Sequence, residues 1–260
     1  MNPECLPLLC DPDTHAPLVL AQDALVNPES GMRYPIREGV PVFLREVTGQ
    51  NRKYQAMYDR LAPGYDIAER IYRWIVRTIR LRRLPDFRLE FINELEIAAG
   101  ARVLEVSVGT GANLRYLQPD IEFYGLDLSW GMLRRCRRNL GKWRGRAELF
   151  QGEGERLPFR DAIFDCVFHV GGINFFNDKA RAIEEMIRVA KPGTKIVIAD
   201  ETEKVVSGAY RKNPLTRSYF QGDEEAQAYC PIGLVPPAMR DIQSRRIAWG
   251  KLYCLTFRKP

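Results

Sequence analysis

Val103-Leu104-Glu105-Val106-Ser107-Val108-Gly109-Thr110-Gly111 is the stretch on which the fold turns. An apolar run ends on an acidic side chain and passes into a glycine-containing loop, so the segment reads as strand, tight turn and helix start. Glycine allows both the sharp turn and a close approach of backbone to ligand. The chain beyond it repeats the alternation. Apolar runs at 102–106, 121–126, 162–169 and 195–199 read as buried strands, with helices over 130–140 and 179–190 between them. That pattern predicts an α/β fold, a parallel sheet with helices on both faces. Two closing runs, about 241–249 and 252–258, meet at Gly250-Lys251 and predict a hairpin that puts antiparallel pairing at one sheet edge.

A loop of this kind serves dinucleotides as well as other nucleoside ligands, so its details decide. A dinucleotide fingerprint begun at Gly109 wants a small residue where Leu114 stands, and one begun at Ser107 lacks its first glycine. A carboxylate at Glu105 is unsuited to a pyrophosphate and suited to a cation. S-adenosylmethionine carries an ammonium and a sulfonium, and charge favours it. Asp127, in Tyr124-Gly125-Leu126-Asp127-Leu128-Ser129, ends the next strand, where a carboxylate can accept hydrogen bonds from ribose hydroxyls. The competing reading is a cap for the helix that follows.

A third piece is Gln151-Gly152-Glu153-Gly154-Glu155-Arg156-Leu157-Pro158-Phe159, followed by Asp161 to Asp165. In this order the motifs resemble the class I S-adenosylmethionine-dependent methyltransferases, above all the branch with the ubiquinone and menaquinone C-methyltransferases. The resemblance runs from about Tyr54 to the carboxyl end and includes Tyr58-Asp59, Tyr65-Asp66, Asp127 to Leu133, and Val189-Ala190-Lys191-Pro192-Gly193. It implies a Rossmann-like, mostly parallel seven-stranded sheet. It also implies S-adenosylmethionine as cofactor, S-adenosylhomocysteine as its product, and a donor set of Tyr58, Glu105, Ser107, Gly109, Gly111, Asp127, Leu128, Met132, Glu153, Gly154, Glu155 and His169. Within it, Glu153 stands where an acidic side chain meets the adenine amino group, and Gly154 and Glu155 lie along the ring. Ser107 replaces the loop's first glycine and narrows the backbone freedom of the turn.

Displacement at a sulfonium needs alignment more than a protein nucleophile. An acceptor that must lose a proton calls for a base, and His169, one of two histidines, ends a strand at the ligand-binding edge. His169 is therefore a candidate base and equally a structural residue, and Tyr58 and Tyr65 are candidate lids over the donor. The acceptor expected is a small molecule: aromatic, quinone-like or thiol. RNA or protein methylation is the alternative enzyme reading, and a binding protein without transfer activity is the alternative outside catalysis.

The 260 residues, 45% hydrophobic and 28% charged, suit one α/β core with a small appendage. Residues 1–46 read as a small β module, 47–100 as a helical cap, and 101–260 as the ligand-binding domain with an acceptor cover at about 201–237. Leu9-Cys10-Asp11-Pro12 and Tyr34 to Pro41 resemble the zinc-ribbon-like activators of tRNA methyltransferases. A zinc site wants four ligands in close pairs, and Cys5, Cys10 and His15 do not supply them, so no metal is expected. Helical periodicity through Ile71, Trp74, Ile75, Ile79 and Leu81 is broken by Pro85. The net charge of +6 is concentrated at Arg70–Arg88 and Arg134–Arg146. Such runs are ordinarily solvated helix faces; the sharper reading is an acidic partner, with nucleic acid less favoured than a small acceptor. The six cysteines are read as free thiols, and the lack of a spanning apolar run or basic-apolar leader suggests a cytoplasmic protein with no transmembrane segment.

Overall fold

The computed structural model describes residues 1–78, 87–143, 147–212, 216–220 and 228–260, without side chains at 66–70, 72, 73, 75–78, 143, 209 and 210. Ile79, Arg80, Leu81 and Pro85 lie outside the described residues, as do the side chains of Arg70, Arg73, Ile75 and Arg77.

The elements in chain order are β1 (Val19–Ala21), β2 (Ala24–Val26), β3 (Arg33–Arg37), β4 (Val40–Pro41), α1 (Gly49–Thr78), α2 (Phe87–Ile92), β5 (Arg102–Val106), β6 (Glu122–Asp127) and α3 (Trp130–Trp143). They continue as β7 (Glu148–Gln151), β8 (Cys166–Val170), α4 (Lys179–Val189), β9 (Lys195–Glu201), β10 (Arg240–Ile247) and β11 (Leu252–Arg258). Strands β5 to β11 form a seven-stranded sheet in the order β10-β11-β9-β8-β5-β6-β7. The inner pairs are parallel, and the terminal hairpin enters antiparallel, β11 against β9.

Alternation along the strands builds two cores. Leu104 and Val106 of β5 and Ile196 and Ile198 of β9 face one side, packed with Ile183 and Met186 of α4. Val103, Val197 and Ala199 face the other, against Phe91 of α2 and Leu133, Cys136 and Leu140 of α3. A strand covered on both faces is apolar almost throughout, which is why these runs were legible.

Two strands depart from the sequence reading. β8 begins at Cys166 rather than Ala162 because residues 162–165 are tied elsewhere. The Ala162 and Ile163 N–H groups donate to the carbonyls of Arg188 and Val189, and Asp165 Oδ2 accepts the Arg102 N–H at 2.9 Å. β7, four residues at the sheet margin, is too short to show a period and was not read as a strand.

The N-terminal strands form a separate antiparallel sheet, β1-β2-β3-β4. Its centre is Asp11, fully buried, which accepts from Asn27 Nδ2 at 2.8 Å, from the Tyr34 hydroxyl at 3.0 Å and from the N–H groups of Asp13 and Thr14. Just past β4, Val42 bridges to Gln151 in parallel and the Phe43 N–H donates to the Gln151 carbonyl at 2.7 Å. The module thus covers the outer edge of β7, where free backbone groups would otherwise invite pairing with another chain. Leu9, Leu25 and Phe43 join Phe150 and Phe159 in one core.

α1 crosses α3 closely at Gly131, where a Cβ would come within 3.0 Å of Ala62 and 3.1 Å of Asp59 Cα. Further along α1, Ile71 and Trp74, read as part of its apolar stripe, are exposed. The named contacts with α3, at Asp59, Ala62 and Pro63, lie earlier in the helix. Among the described residues no helix is long and apolar enough to cross a membrane.

Candidate functional site

A cavity of about 560 Å³ opens at the carboxyl ends of β5, β6, β8 and β9. Ligands bind at this edge of open α/β sheets because the strands end there and the loops diverge. Its floor includes Glu105, 1% exposed. Oε1 accepts from Asn113 Nδ2 at 2.7 Å, while Oε2 is buried without a partner. Burial pushes this carboxyl up to about 8, against the lowering by Asn113. A buried carboxyl with one oxygen unpartnered, on the lining of a cavity, is suited to a cation, which would satisfy Oε2 and bring the group back to its ionised form.

The turn after β5 has left-handed backbone at Ser107 (φ 63), Gly109 (φ 55) and Gly111 (φ 77). This alternation aims the Gly109 N–H at Asp127 Oδ2, 2.7 Å away. The helix expected after the turn is a single 3₁₀ segment, Ala112–Tyr116, with Gly111 at its N-cap. Gly125, inside β6, makes room for the turn: a Cβ there would meet Val108 at 2.9 Å. Asp127 Oδ1 accepts the Ser129 N–H at 2.8 Å, so the carboxylate both organises the start of α3 and faces the cavity. Burial raises it to about 6, opposed by these backbone N–H groups. Leu128 and Met132 add apolar wall, and the Leu128 carbonyl accepts from Gln55 at 3.1 Å and Gln151 at 3.0 Å.

Tyr58, Tyr65, Glu105, Ser107, Gly109, Asp127, Leu128 and Met132 all line this cavity, whereas Gly111 acts only through its cap. Glu153, Gly154 and Glu155 line a smaller pocket of about 20 Å³, which shares Asn51, Ser107, Leu128 and Phe176 with the main one. Asn51 Nδ2 donates to Glu153 Oε1 at 2.9 Å and to Glu155 Oε1 at 3.0 Å, pinning the start of α1 over both carboxylates. Glu155 also accepts the Asn177 N–H at 3.0 Å, and burial raises its pKa. Its Oε1 is thus engaged in holding the loops together. Gly154 is required by Phe176, whose Cε2 lies 2.5 Å from where a Cβ would stand.

His169 lies elsewhere than on the cavity wall. It is fully buried, and its Nε2 accepts the Ile173 N–H at 3.0 Å. Burial lowers it to about 3, against a smaller rise from the Val106 backbone. A neutral acceptor locked onto backbone secures the loop after β8, which favours the structural reading of His169 over that of a base. Tyr58 lines the cavity with its hydroxyl pKa pushed well above the usual value by burial and then by Glu201, and Tyr65 stands exposed at the mouth.

The sequence reading missed Asn51, Tyr54, Gln55, Phe176, Asp200 and Trp249. Asp200 carried a signal: like Glu105 and Asp127 it is an acid at the end of an apolar run, one residue beyond the strand as read. It lines the cavity, and its oxygens accept from the N–H groups of Gly172 (3.2 Å), Asn174 (2.9 Å) and Glu201 (2.7 Å). Burial holds it near 6. Asn51 carried none, since its partners are about a hundred residues away in the chain.

Comparison with known proteins agrees with this geometry. Residues 104–198 match a family model described as a methyltransferase domain. The demethylmenaquinone methyltransferase of Thermotoga maritima is 30% identical over 195 residues, covering 70% of this chain and 80% of that protein. The demethylmenaquinone methyltransferase of Renibacterium salmoninarum is 34% identical over 146 residues, and there the chain spans 57% of the relative's length. In fold, the chain is similar to Haemonchus contortus phosphoethanolamine N-methyltransferase 2, solved with S-adenosylhomocysteine and phosphomonomethylethanolamine. The TM-score is 0.60 at 15% identity, over 85% of this chain and 62% of that one.

Proposed function

The chain belongs to the class I S-adenosylmethionine-dependent methyltransferases, and on that premise we propose that it methylates a small, ring-containing acceptor of the hydroxylated quinone type from the cytoplasmic side. The observation that carries the reading is the buried Glu105 carboxyl, with Oε2 unpartnered, on the lining of the cavity that Asp127 also lines. The donor set fits S-adenosylmethionine. Glu105 would take its ammonium, Asp127 its ribose hydroxyls, Leu128 and Met132 the apolar faces of its nucleoside, and Glu153 its adenine amino group. When bound, S-adenosylmethionine supplies an electrophilic methyl group on a sulfonium.

The rest of the work falls to the chain's own residues. Phe175, Tyr58, Tyr65 and Trp249 also line the cavity and would give a bound acceptor aromatic surface against which a flat ring can stack. Val206 and Phe220, from the segment after β9, pack with Tyr54 of α1 and Phe175, closing that side. Water excluded there cannot compete for the methyl group. Asp200, which lines the cavity and is held near 6, would be the carboxylate to receive the proton of an acceptor hydroxyl. Its two oxygens also fix Gly172 and Asn174, so it shapes the wall it works from.

The test is methyl transfer to a panel of demethylated naphthoquinols, benzoquinols, thiols and tRNA, read by mass spectrometry. A methylated quinol formed in step with S-adenosylhomocysteine is expected. Transfer to tRNA or thiols alone contradicts the proposal.

A further inference from the structure

Four carboxylates line the cavity, Glu105, Asp127, Asp200 and Glu201, against two cations among the described residues, Arg88 and Lys251. Such a lining suits a ligand of net positive charge. S-adenosylmethionine is one, since its ammonium and sulfonium outweigh its single α-carboxylate. That carboxylate is the one part of the donor which the surrounding acids repel, and it shares a carbon atom with the ammonium. Wherever the ammonium sits, a cation has to stand close by to keep the carboxylate from being buried unpaired. Arg88 stands there. Its Nε donates to Asn113 Oδ1 at 3.2 Å, and Asn113 Nδ2 donates to Glu105 Oε1 at 2.7 Å, so one buried amide lies between guanidinium and carboxyl. Burial is the largest influence on the Glu105 pKa, and Asn113 and Arg88 are the two groups that oppose it. The helix that carries Arg88 is fixed in place: Phe91 of α2 is fully buried in one core with Val103 of β5, and Glu90 Oε1 accepts the Ala248 N–H at 3.2 Å. Lys251 is exposed and precedes β11, which lies three strands from β5 in the sheet order. That is roughly 14 Å at the usual strand spacing, too far to serve the carboxylate of an amino acid whose ammonium is at Glu105.

We propose that Arg88 binds the α-carboxylate of the donor while Glu105 binds its ammonium, with Asn113 as the spacer that sets the two apart. A guanidinium carries five N–H donors in a planar fork, so a bond from Nε to Asn113 is compatible with a grip on a carboxylate by the terminal nitrogens. The arrangement makes this end of the site read an α-amino acid rather than a plain amine. A ligand that keeps the amine and lacks the carboxylate satisfies Glu105 and gives Arg88 nothing to hold. The assignment rests on the donor reading above and adds to it a residue and a selectivity, against decarboxylated forms of the donor.

The test is isothermal titration of S-adenosylhomocysteine and of its decarboxylated analogue into the full parent chain, Arg88→Gln, Arg88→Lys and Lys251→Gln. The parent is expected to prefer S-adenosylhomocysteine by about tenfold to a hundredfold, the worth of a hydrogen bond to a charged partner. In Arg88→Gln the preference should vanish or invert, because the remaining lining favours the ligand of greater positive charge. Arg88→Lys keeps the charge without the fork and should cut the preference by about threefold or more, whereas Lys251→Gln should leave it intact. If Arg88→Gln does not fold, as judged by circular dichroism, Arg88→Lys carries the test. A parent that binds both ligands alike, or Arg88 variants that weaken both equally, overturns the proposal and leaves the donor reading standing. Loss of the preference in Lys251→Gln in place of the Arg88 variants does the same. A folded parent that binds neither ligand brings down the donor reading, and this assignment with it.

Discussion

Asp127 Oδ2 accepts the Gly109 N–H at 2.7 Å, so one carboxylate ties the end of β6 to the turn after β5. The other oxygen holds the Ser129 N–H. Asp127→Asn turns an amide N–H₂ toward one of these donors. The expected loss of stability is about 1–3 kcal/mol by denaturant titration, with donor affinity reduced at least about tenfold by calorimetry as the hydrogen bonds to ribose weaken. Unchanged affinity would leave Asp127 a helix cap and nothing more.

Glu105 links protons to stability and binding. Its carboxyl keeps a proton up to about 8 in the folded chain, against 4.5 ordinarily. The native state therefore binds more protons than the unfolded state between those values, and this group's contribution makes stability fall as pH rises across them. A cation at Oε2 favours the ionised form, so donor binding should release a proton near neutral pH and tighten as pH rises toward 8. Calorimetry in buffers of different ionisation enthalpy reads that proton. Glu105→Gln should abolish the release, weaken donor binding by about tenfold or more, and leave the ligand-free protein at least as stable above neutral pH.

Ser107 holds a left-handed backbone without being glycine. Ser107→Gly should stabilise the ligand-free chain by roughly 0.5–1 kcal/mol by relieving that strain, seen as a melting temperature higher by about 2 °C or more. A lower melting temperature would show that the serine side chain earns its place by other contacts.

Gly154→Ala drives a methyl group into Phe176, which lines both pockets. Overpacking of this kind costs about 1–3 kcal/mol, and the displaced ring should also weaken donor affinity. A variant with the parent's stability and affinity would mean that Phe176 moves freely and does not shape the donor site.

His169→Ala removes the acceptor of the Ile173 N–H and leaves a buried gap. A stability loss of about 2–4 kcal/mol is expected, with the shape of the pH–rate profile unchanged because the imidazole stays neutral across the working range. Disappearance of a limb of that profile in the variant would restore His169 as a base.

Much of the donor side was legible because its signals are local. A strand covered on both faces is apolar, and an acid or glycine at its end breaks the run, as at Glu105, Gly109 and Asp127. What escaped depends on contacts distant in sequence. Asn51 meets Glu153 and Glu155 only after α1 has folded back over the sheet, and β7 becomes a strand through β6 on one side and the module's Phe43 on the other. His169 stayed open between base and structural residue because a histidine at a strand end reads the same whether its ring lies on the cavity wall or, as here, is buried away from it. The proposed acceptor wall was legible only at Tyr58 and Tyr65, read as lids over the donor; Phe175, Asp200 and Trp249 come from three separate segments and share no motif.

The central claim is that this cavity holds S-adenosylmethionine through Glu105 and Asp127. Isothermal titration of S-adenosylhomocysteine into the parent chain and into Asp127→Ala tests it most directly. The account predicts a one-to-one complex with micromolar or tighter affinity in the parent and a loss of at least about a hundredfold in the variant. No binding by a folded parent chain, or equal binding by both, would contradict it.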